Sequence, residues 1–386
     1  MKTKNSALSN KSVVQGFFDA DGSFQAKVYS GKRKPISFHV NIIFSQREKE
    51  VLAAVLNSLN STSKISEREI INDSGTESIG NSISLAFSNE AGQLLRKLWE
   101  TNPPNAPTKY LDYCIAKILF QVSESSLNTA ENVVNKLLPN LGLQDEKVAG
   151  LALLYLRYRM FGATKNNKNP KLKPIEDYYE LINATQDQID QSISIGQQLY
   201  EPIKQSYESR QSNIQISKDY LLGYHIGDGS FWIQSTFGEE CQSFRVNFSW
   251  SVTDCQENLP LLKAIKTKLE SHNIAFPKSK KGKESGIADY TTYSRLQISS
   301  LRACLKWVKL LGEWDWKDLP QVRQNQYDLF LEALEIYTLP NFRSDLSLLE
   351  RIIHIKWSLN PHTNYKKKGS LEGDLEKVRT YFHKTN

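Results

Sequence analysis

No apolar run in this chain approaches the roughly 20 residues that span a bilayer as a helix. A membrane-embedded role is thereby excluded as a starting expectation. The leading Met1-Lys-Thr-Lys-Asn-Ser-Ala segment lacks the apolar core of a secretory signal. It is basic and contains serine, as transit peptides do, but the first predicted helix begins near Asn10 and leaves little to remove. Cysteine is scarce too. Cys114, Cys241, Cys255 and Cys304 form no CxxC pair, which argues against a zinc site or a disulfide framework and for reduced, buried thiols.

What is present is a repeat. Gly16-Phe-Phe-Asp-Ala-Asp21-Gly22-Ser23-Phe24 and Gly223-Tyr-His-Ile-Gly-Asp228-Gly229-Ser230-Phe231 each put an acid, a glycine, a serine and an aromatic after an apolar, helix-like run. Internal repeats decide architecture before any local reading does, and this one continues. Residues 23–29 and 230–236 alternate as strands, as do residues 36–44 and 244–252. Ser45-Gln-Arg-Glu48 and Thr253-Asp-Cys-Gln256 then read as capping boxes that open helices. A hairpin-like stretch follows in each half, ending at Phe87 and Ile298. Amphipathic helices are predicted at 90–99 and 301–311, and residues 154–171 resemble 349–368. The fold class is therefore α+β: two α-β-β-α-β-β-α halves, each an antiparallel sheet with helices on one face.

A chain of 386 residues accommodates two domains of roughly 150 residues each. The expected divisions are an N-terminal domain over 1–173, a polar linker with one or two surface helices over 174–217, and a C-terminal domain with a basic tail over 218–386. A structureless loop of the linker's length would be unusual. Net charge is +7, which is consistent with a polyanionic partner and also with an ordinary basic protein. The runs Gly31-Lys-Arg-Lys34, Lys278-Ser-Lys-Lys-Gly-Lys283 and Tyr365-Lys-Lys-Lys-Gly369 suit phosphate contacts, although solvated loop charge explains any one of them.

The acid at the end of each apolar run is the informative residue. A carboxylate at a helix C-terminus is unfavourable by roughly 0.3–1 kcal/mol, and a cation offsets that. The same exception in both halves suggests a bound divalent metal, and hard oxygen ligands favour Mg²⁺. Gly22 and Gly229 read as left-handed helix caps. Gly16 and Gly223 cost about 1 kcal/mol each inside a helix, which makes sense if the two helices pack closely and bring Asp21 and Asp228 together. A calcium loop is excluded, since that register puts Phe17 and Val28 where carboxylates are required. Aspartates that merely assist the helix caps remain the structural alternative.

Val14-Gln-Gly-Phe-Phe-Asp-Ala-Asp-Gly22 and Leu221-Leu-Gly-Tyr-His-Ile-Gly-Asp-Gly229 resemble the motif of the LAGLIDADG homing endonucleases, in the single-chain form with two copies. The resemblance implies two pseudo-symmetric domains whose four-stranded sheets form a DNA-binding saddle in the major groove. It implies a monomer with internal pseudo-twofold symmetry, and a staggered, metal-dependent cut of double-stranded DNA. The metal-binding acids would be Asp21 and Asp228, with Gly22 and Gly229 beside them in the metal site. The sixth motif position, which is not the essential acid, is Asp19 in one copy and Ile226 in the other. Gln46 and Asp254 match the polar residue that supports the metal site, and Lys109 and Arg323 are candidates for the basic residue of the active centre. Most relatives are encoded in organelles, which suggests a mitochondrial or chloroplast setting.

Strand parity nominates the base-reading side chains as Gln25, Lys27, Tyr29, Ser37, His39 and Asn41, then Trp232, Gln234, Arg245, Asn247, Arg295 and Gln297. Arginine to guanine and glutamine or asparagine to adenine are the natural pairings. The two sets differ at nearly every position, so the expected target is largely asymmetric. Phe24, Phe38, Val40, Phe231, Phe248 and Trp250 fall on the inward face. His225 is read as a packed core residue, not a general base. Two other readings stay open: a group I intron maturase that binds intron RNA on the same fold, and a DNA-binding module that has lost catalysis. Intact Asp21 and Asp228 argue against the second.

Overall fold

The computed structural model describes residues 10–29, 36–71, 77–124, 145–160, 174–276, 285–314, 319–359 and 369–385. The chain divides into two compact units, one of Phe17–Gln215 and one of Ile216–Asn386 together with Met1–Gly16. The division falls inside the first motif helix.

The first repeat runs α1 (Lys11–Asp21), β1 (Gly22–Tyr29), β2 (Ser37–Gln46), α2 (Lys49–Ser58), β3 (Ile65–Ile71), β4 (Glu77–Ala86), α3 (Glu90–Thr101) and α4 (Pro107–Glu124). α5 (Glu146–Tyr158), α6 (Ile175–Leu181) and α7 (Gln186–Arg210) follow. The second repeat runs α8 (Lys218–Asp228), β5 (Ser230–Phe237), β6 (Phe244–Cys255), α9 (Leu259–Ser271), β7 (Ile287–Asp289), β8 (Tyr293–Ile298), α10 (Leu301–Leu311) and α11 (Gln321–Thr338). α12 (Leu346–Leu359) and α13 (Leu371–Thr385) complete it. Both sheets are antiparallel with one shared order: β1-β2-β4-β3 and β5-β6-β8-β7.

Alternation sorts each sheet into two faces. Phe24, Ala26, Phe38, Val40, Ile42 and Phe44 are buried on one face of the first sheet, where α4 packs. Phe18, Phe24, Trp99 and Tyr113 form an aromatic cluster there, with ring centroids 4.6–5.9 Å apart. In the second unit Phe231 stacks on Phe330 at 4.4 Å and Trp250 meets Trp307 at 4.8 Å. Edge-on and offset contacts of this kind add roughly 0.5–1.5 kcal/mol each beyond area burial.

Two expectations are corrected. Ser45 and Thr253 do not cap helices: each lies in its strand, paired with Ser82 and Arg295 respectively, and α2 starts after Glu48. The ladder satisfies those backbone groups, so the S/T-x-x-E/Q pattern is incidental there. Gly22 and Gly229 are not left-handed caps either; Gly229 has φ −67° and ψ 130°, and Gly286 alone among described glycines has positive φ. They are glycine for space. A Cβ on Gly22 would overlap the ring of Phe18, and one on Gly229 would overlap His225, in each case the residue four positions earlier.

The stretch 174–217, read as a polar linker with one or two surface helices, holds two helices, α6 and α7. α7 is a packed helix. Ile195, Leu199 and Ile203 line one buried stripe at four-residue spacing. Gly196 admits the Tyr155 ring of α5, and Arg210 lies over Tyr110 of α4 at 4.7 Å. The polar average of the stretch concealed that stripe. At the other end, α13 is tied down by Asp374, which accepts from Lys356 Nζ (2.6 Å) and Trp357 Nε1 (3.1 Å), while Lys356 also donates to Ser235 Oγ of β5 (2.8 Å). The basic runs at 31–34 and 278–283 lie outside the described residues, as do 365–368 and the leading residues 1–9.

Candidate functional site

Each motif helix delivers its acid to the point where helix gives way to strand. Asp21 is the last residue of α1 and Asp228 the last of α8, and both are half-buried. In the first half Asp21 Oδ2 accepts from Gln46 Nε2, at the end of β2. Gln46 Oε1 in turn accepts the backbone N–H of Arg47 (2.8 Å), which fixes the amide so that its NH₂ faces the carboxylate.

In the second half Asp254 of β6 stands where the first half has Gln46, and it is held differently. Its Oδ2 accepts from the Tyr224 hydroxyl (2.7 Å); Oδ1 accepts from Cys255 N (2.7 Å) and Asn258 Nδ2 (3.0 Å). Burial pushes the Tyr224 phenol well above its usual value of 10, and the charges of Asp254 and then Asp228 add to it. The sequence reading passed over Tyr224. The available signal was a hydroxyl in the second copy where the first has Phe17.

Lys109 and Arg323 occupy matching places, each the third residue of its helix, α4 or α11. Lys109 Nζ donates to Gly22 O. Arg323 donates through its guanidinium to Gly227 O (3.2 Å) and Gln326 Oε1 (3.0 Å), and is only 7% exposed. Each motif helix therefore ends against a side-chain cation on a carbonyl beside its acid. This is the favourable partner for a helix C-terminus, so the helix dipole by itself does not demand a metal. Arg323 is buried where it makes these bonds.

Asp19 is 1% exposed and accepts the backbone N–H of Asn105 (2.7 Å), tying α1 to the segment before α4. Ile226 is fully buried in the second copy. His225 is a core residue, as read: its Nδ1 accepts from Trp250 Nε1 (2.9 Å), and burial, helped by the charge of Arg323, lowers its pKa to about 3. A carbonyl oxygen of Tyr220 occupies the space that a Cβ on Gly16 would need, the close backbone approach expected at that glycine. Gly223 is buried.

Directly paired residues share a sheet face, and the register groups the nominated reading residues. Gln25 pairs with Asn41, Lys27 with His39, Tyr29 with Ser37, Gln234 with Asn247, and Arg245 with Thr236. Lys27, Tyr29, His39, Gln234, Arg245 and Asn247 are exposed, while Gln25, Ser37, Trp232, Arg295 and Gln297 are half-buried. Asn41 is the exception. It is 4% exposed in a central strand, between Gln25 and Ala86, and is not available to a base edge. Thr236 and Ser84 share these outer faces, are exposed, and were not nominated.

No protein-family model and no curated protein matches the chain. Solved structures do. The LAGLIDADG meganuclease I-CpaMI bound to uncleaved DNA aligns over 91% of this chain and 99% of its own, at 16% identity and TM-score 0.57. I-SmaMI, bound to an uncleaved DNA target in the presence of calcium ions, aligns over 91% and 99% at 14% identity and TM-score 0.58. The chain has the LAGLIDADG fold. I-LtrWI, a LAGLIDADG homing endonuclease bound to target DNA, aligns over 93% and 98% at 12% identity and TM-score 0.57. In LAGLIDADG terms, the doubled sheet order and the helix-end acids are one module used twice.

Proposed function

We propose that the protein is a site-specific double-strand DNA endonuclease that hydrolyses phosphodiester bonds with Mg²⁺. One observation carries the reading: the same carboxylate ends the same helix in two sheets of identical order, whose outer faces carry exposed polar and cationic side chains. Similar structures described as bound to uncleaved target DNA support it, as does one described as a homing endonuclease bound to cleaved DNA.

The donor set fits a hard divalent cation. Among the described residues no three His, Cys, Asp or Glu gather into a cage, and Mg²⁺ is ordinarily held by one or two carboxylates plus substrate phosphates and water. Asp21 would hold such a cation in the first half and Asp228 in the second. Gly22 O already takes the Lys109 ammonium, so Gly22 contributes less than Asp21. Bound there, the cation supplies Lewis-acid polarisation of the phosphate and a lowered pKa for water. In the reaction, water oxygen bonds to phosphorus, the P–O3′ bond breaks, and the leaving 3′ oxygen takes a proton. Gln46 orients the Asp21 carboxylate, and Lys109 and Arg323 hold the helix ends that present both acids.

The outer-face side chains read base edges, Arg245 and Arg295 suiting guanine and Gln234 and Asn247 suiting adenine. Because the two faces differ in sequence, the target we propose is largely asymmetric; the staggered cut and the role in intron homing belong to the proposal through the resemblance to homing endonucleases. The test is a plasmid carrying the intronless host allele, incubated with Mg²⁺ or EDTA, with intron RNA splicing assayed in parallel. Linearisation with Mg²⁺ is expected. Asp21→Asn and Asp228→Asn should each abolish double-strand cutting and retain DNA binding in EDTA. Wild-type cutting by either variant would refute the assignment, and splicing without cutting would favour the maturase.

A further inference from the structure

The two halves differ in how the residue supporting each acid is made. Gln46 carries an amide and donates directly to Asp21. Asp254 carries a carboxyl group in place of that amide. Its Oδ2 is held by Tyr224, which is 1% exposed and lies four residues before Asp228 on one helix face. The first copy has Phe17 in that place, which stacks on Phe44 at 5.8 Å and carries no hydroxyl. The strand registers give Asp254 in the second sheet the position from which Gln46 reaches Asp21 in the first.

Resting on the nuclease reading above, we propose that Tyr224 is a positioning residue of the C-terminal half. Its hydrogen bond keeps Asp254 facing the site of Asp228. That half then offers a divalent cation two carboxylates, where the N-terminal half offers a carboxylate and an amide. Ligand charge raises cation affinity, so the C-terminal half holds the metal more tightly and cuts its strand under scarcer metal. A tie between helix and strand would explain the hydrogen bond alone, but it predicts no change in metal affinity.

The experiment titrates Mn²⁺ into the metal-free full-length protein and follows free Mn²⁺ by electron paramagnetic resonance. Wild type should show two classes of site. Tyr224→Phe should weaken the tighter class about tenfold, the usual scale for loss of a supporting hydrogen bond. Asp254→Asn should merge the two classes, and Asp21→Asn should leave the tighter one intact. On a strand-labelled target duplex, Tyr224→Phe should slow one strand's cut relative to the other at limiting Mg²⁺. A Tyr224→Phe isotherm that superimposes on wild type overturns the proposal. If that variant does not fold, an unchanged Asp254→Asn isotherm overturns it instead. Two Mn²⁺ classes in a wild-type protein that cuts no DNA would count against the nuclease reading alone.

Discussion

At the scale of single residues, the site is a set of acids whose neighbours are chosen to suit them. Asp21 has an amide, Asp254 a phenol and an asparagine, and Asp19 a backbone N–H. His225 shows the opposite economy, an ionisable group kept neutral by burial. Its folded pKa, about 3, lies below the unfolded value near 6.5. Above pH 6.5 both states are neutral and stability is complete. As pH falls from 6.5 towards 3 the unfolded state takes the proton first, and stability drops by up to roughly 1.4 kcal/mol per pH unit from this group. Chemical denaturation at pH 7, 5.5 and 4.5 should show that loss, and His225→Gln should show a shallower one.

At the scale of elements, the helix-to-strand corner explains why glycine follows each acid. The constraint is steric rather than conformational: the residue four back, Phe18 or His225, fills the space a side chain would need. Overpacking of this kind costs typically 1–3 kcal/mol. Gly229→Ala should therefore lower the thermal midpoint of the C-terminal unit in calorimetry, and an unchanged midpoint would refute the steric account. The corner was half legible in sequence. The motif marked the glycine, but no local pattern distinguishes a glycine needed for φ from one needed for room. Likewise the S/T-x-x-E/Q patterns at Ser45 and Thr253 satisfied a local rule that strand pairing overrode.

At the scale of the whole molecule, the proposed function and the net charge of +7, with Lys27 and Arg245 exposed on the sheet faces, together predict that phosphate neutralisation contributes to DNA affinity. The slope of log affinity against log salt is roughly −0.9 per phosphate contacted. Replacing Lys27 by alanine should make the slope shallower by about one if it contacts phosphate. Replacing Gln234 should leave the slope alone and relax base preference. Fluorescence anisotropy in EDTA at several salt concentrations separates the two.

The sequence by itself determined the duplication, the element order, the inward aromatic set and the places of Asp21 and Asp228. All of these follow from periodicity and a repeated motif, which are local. Only tertiary structure decided that α7 is packed, that Asn41 is buried, that Lys109 and Arg323 each sit on a carbonyl near one acid, and that Tyr224 holds Asp254. Each of these depends on which distant residues the fold brings within a few ångströms, and pattern along the chain carries no record of that.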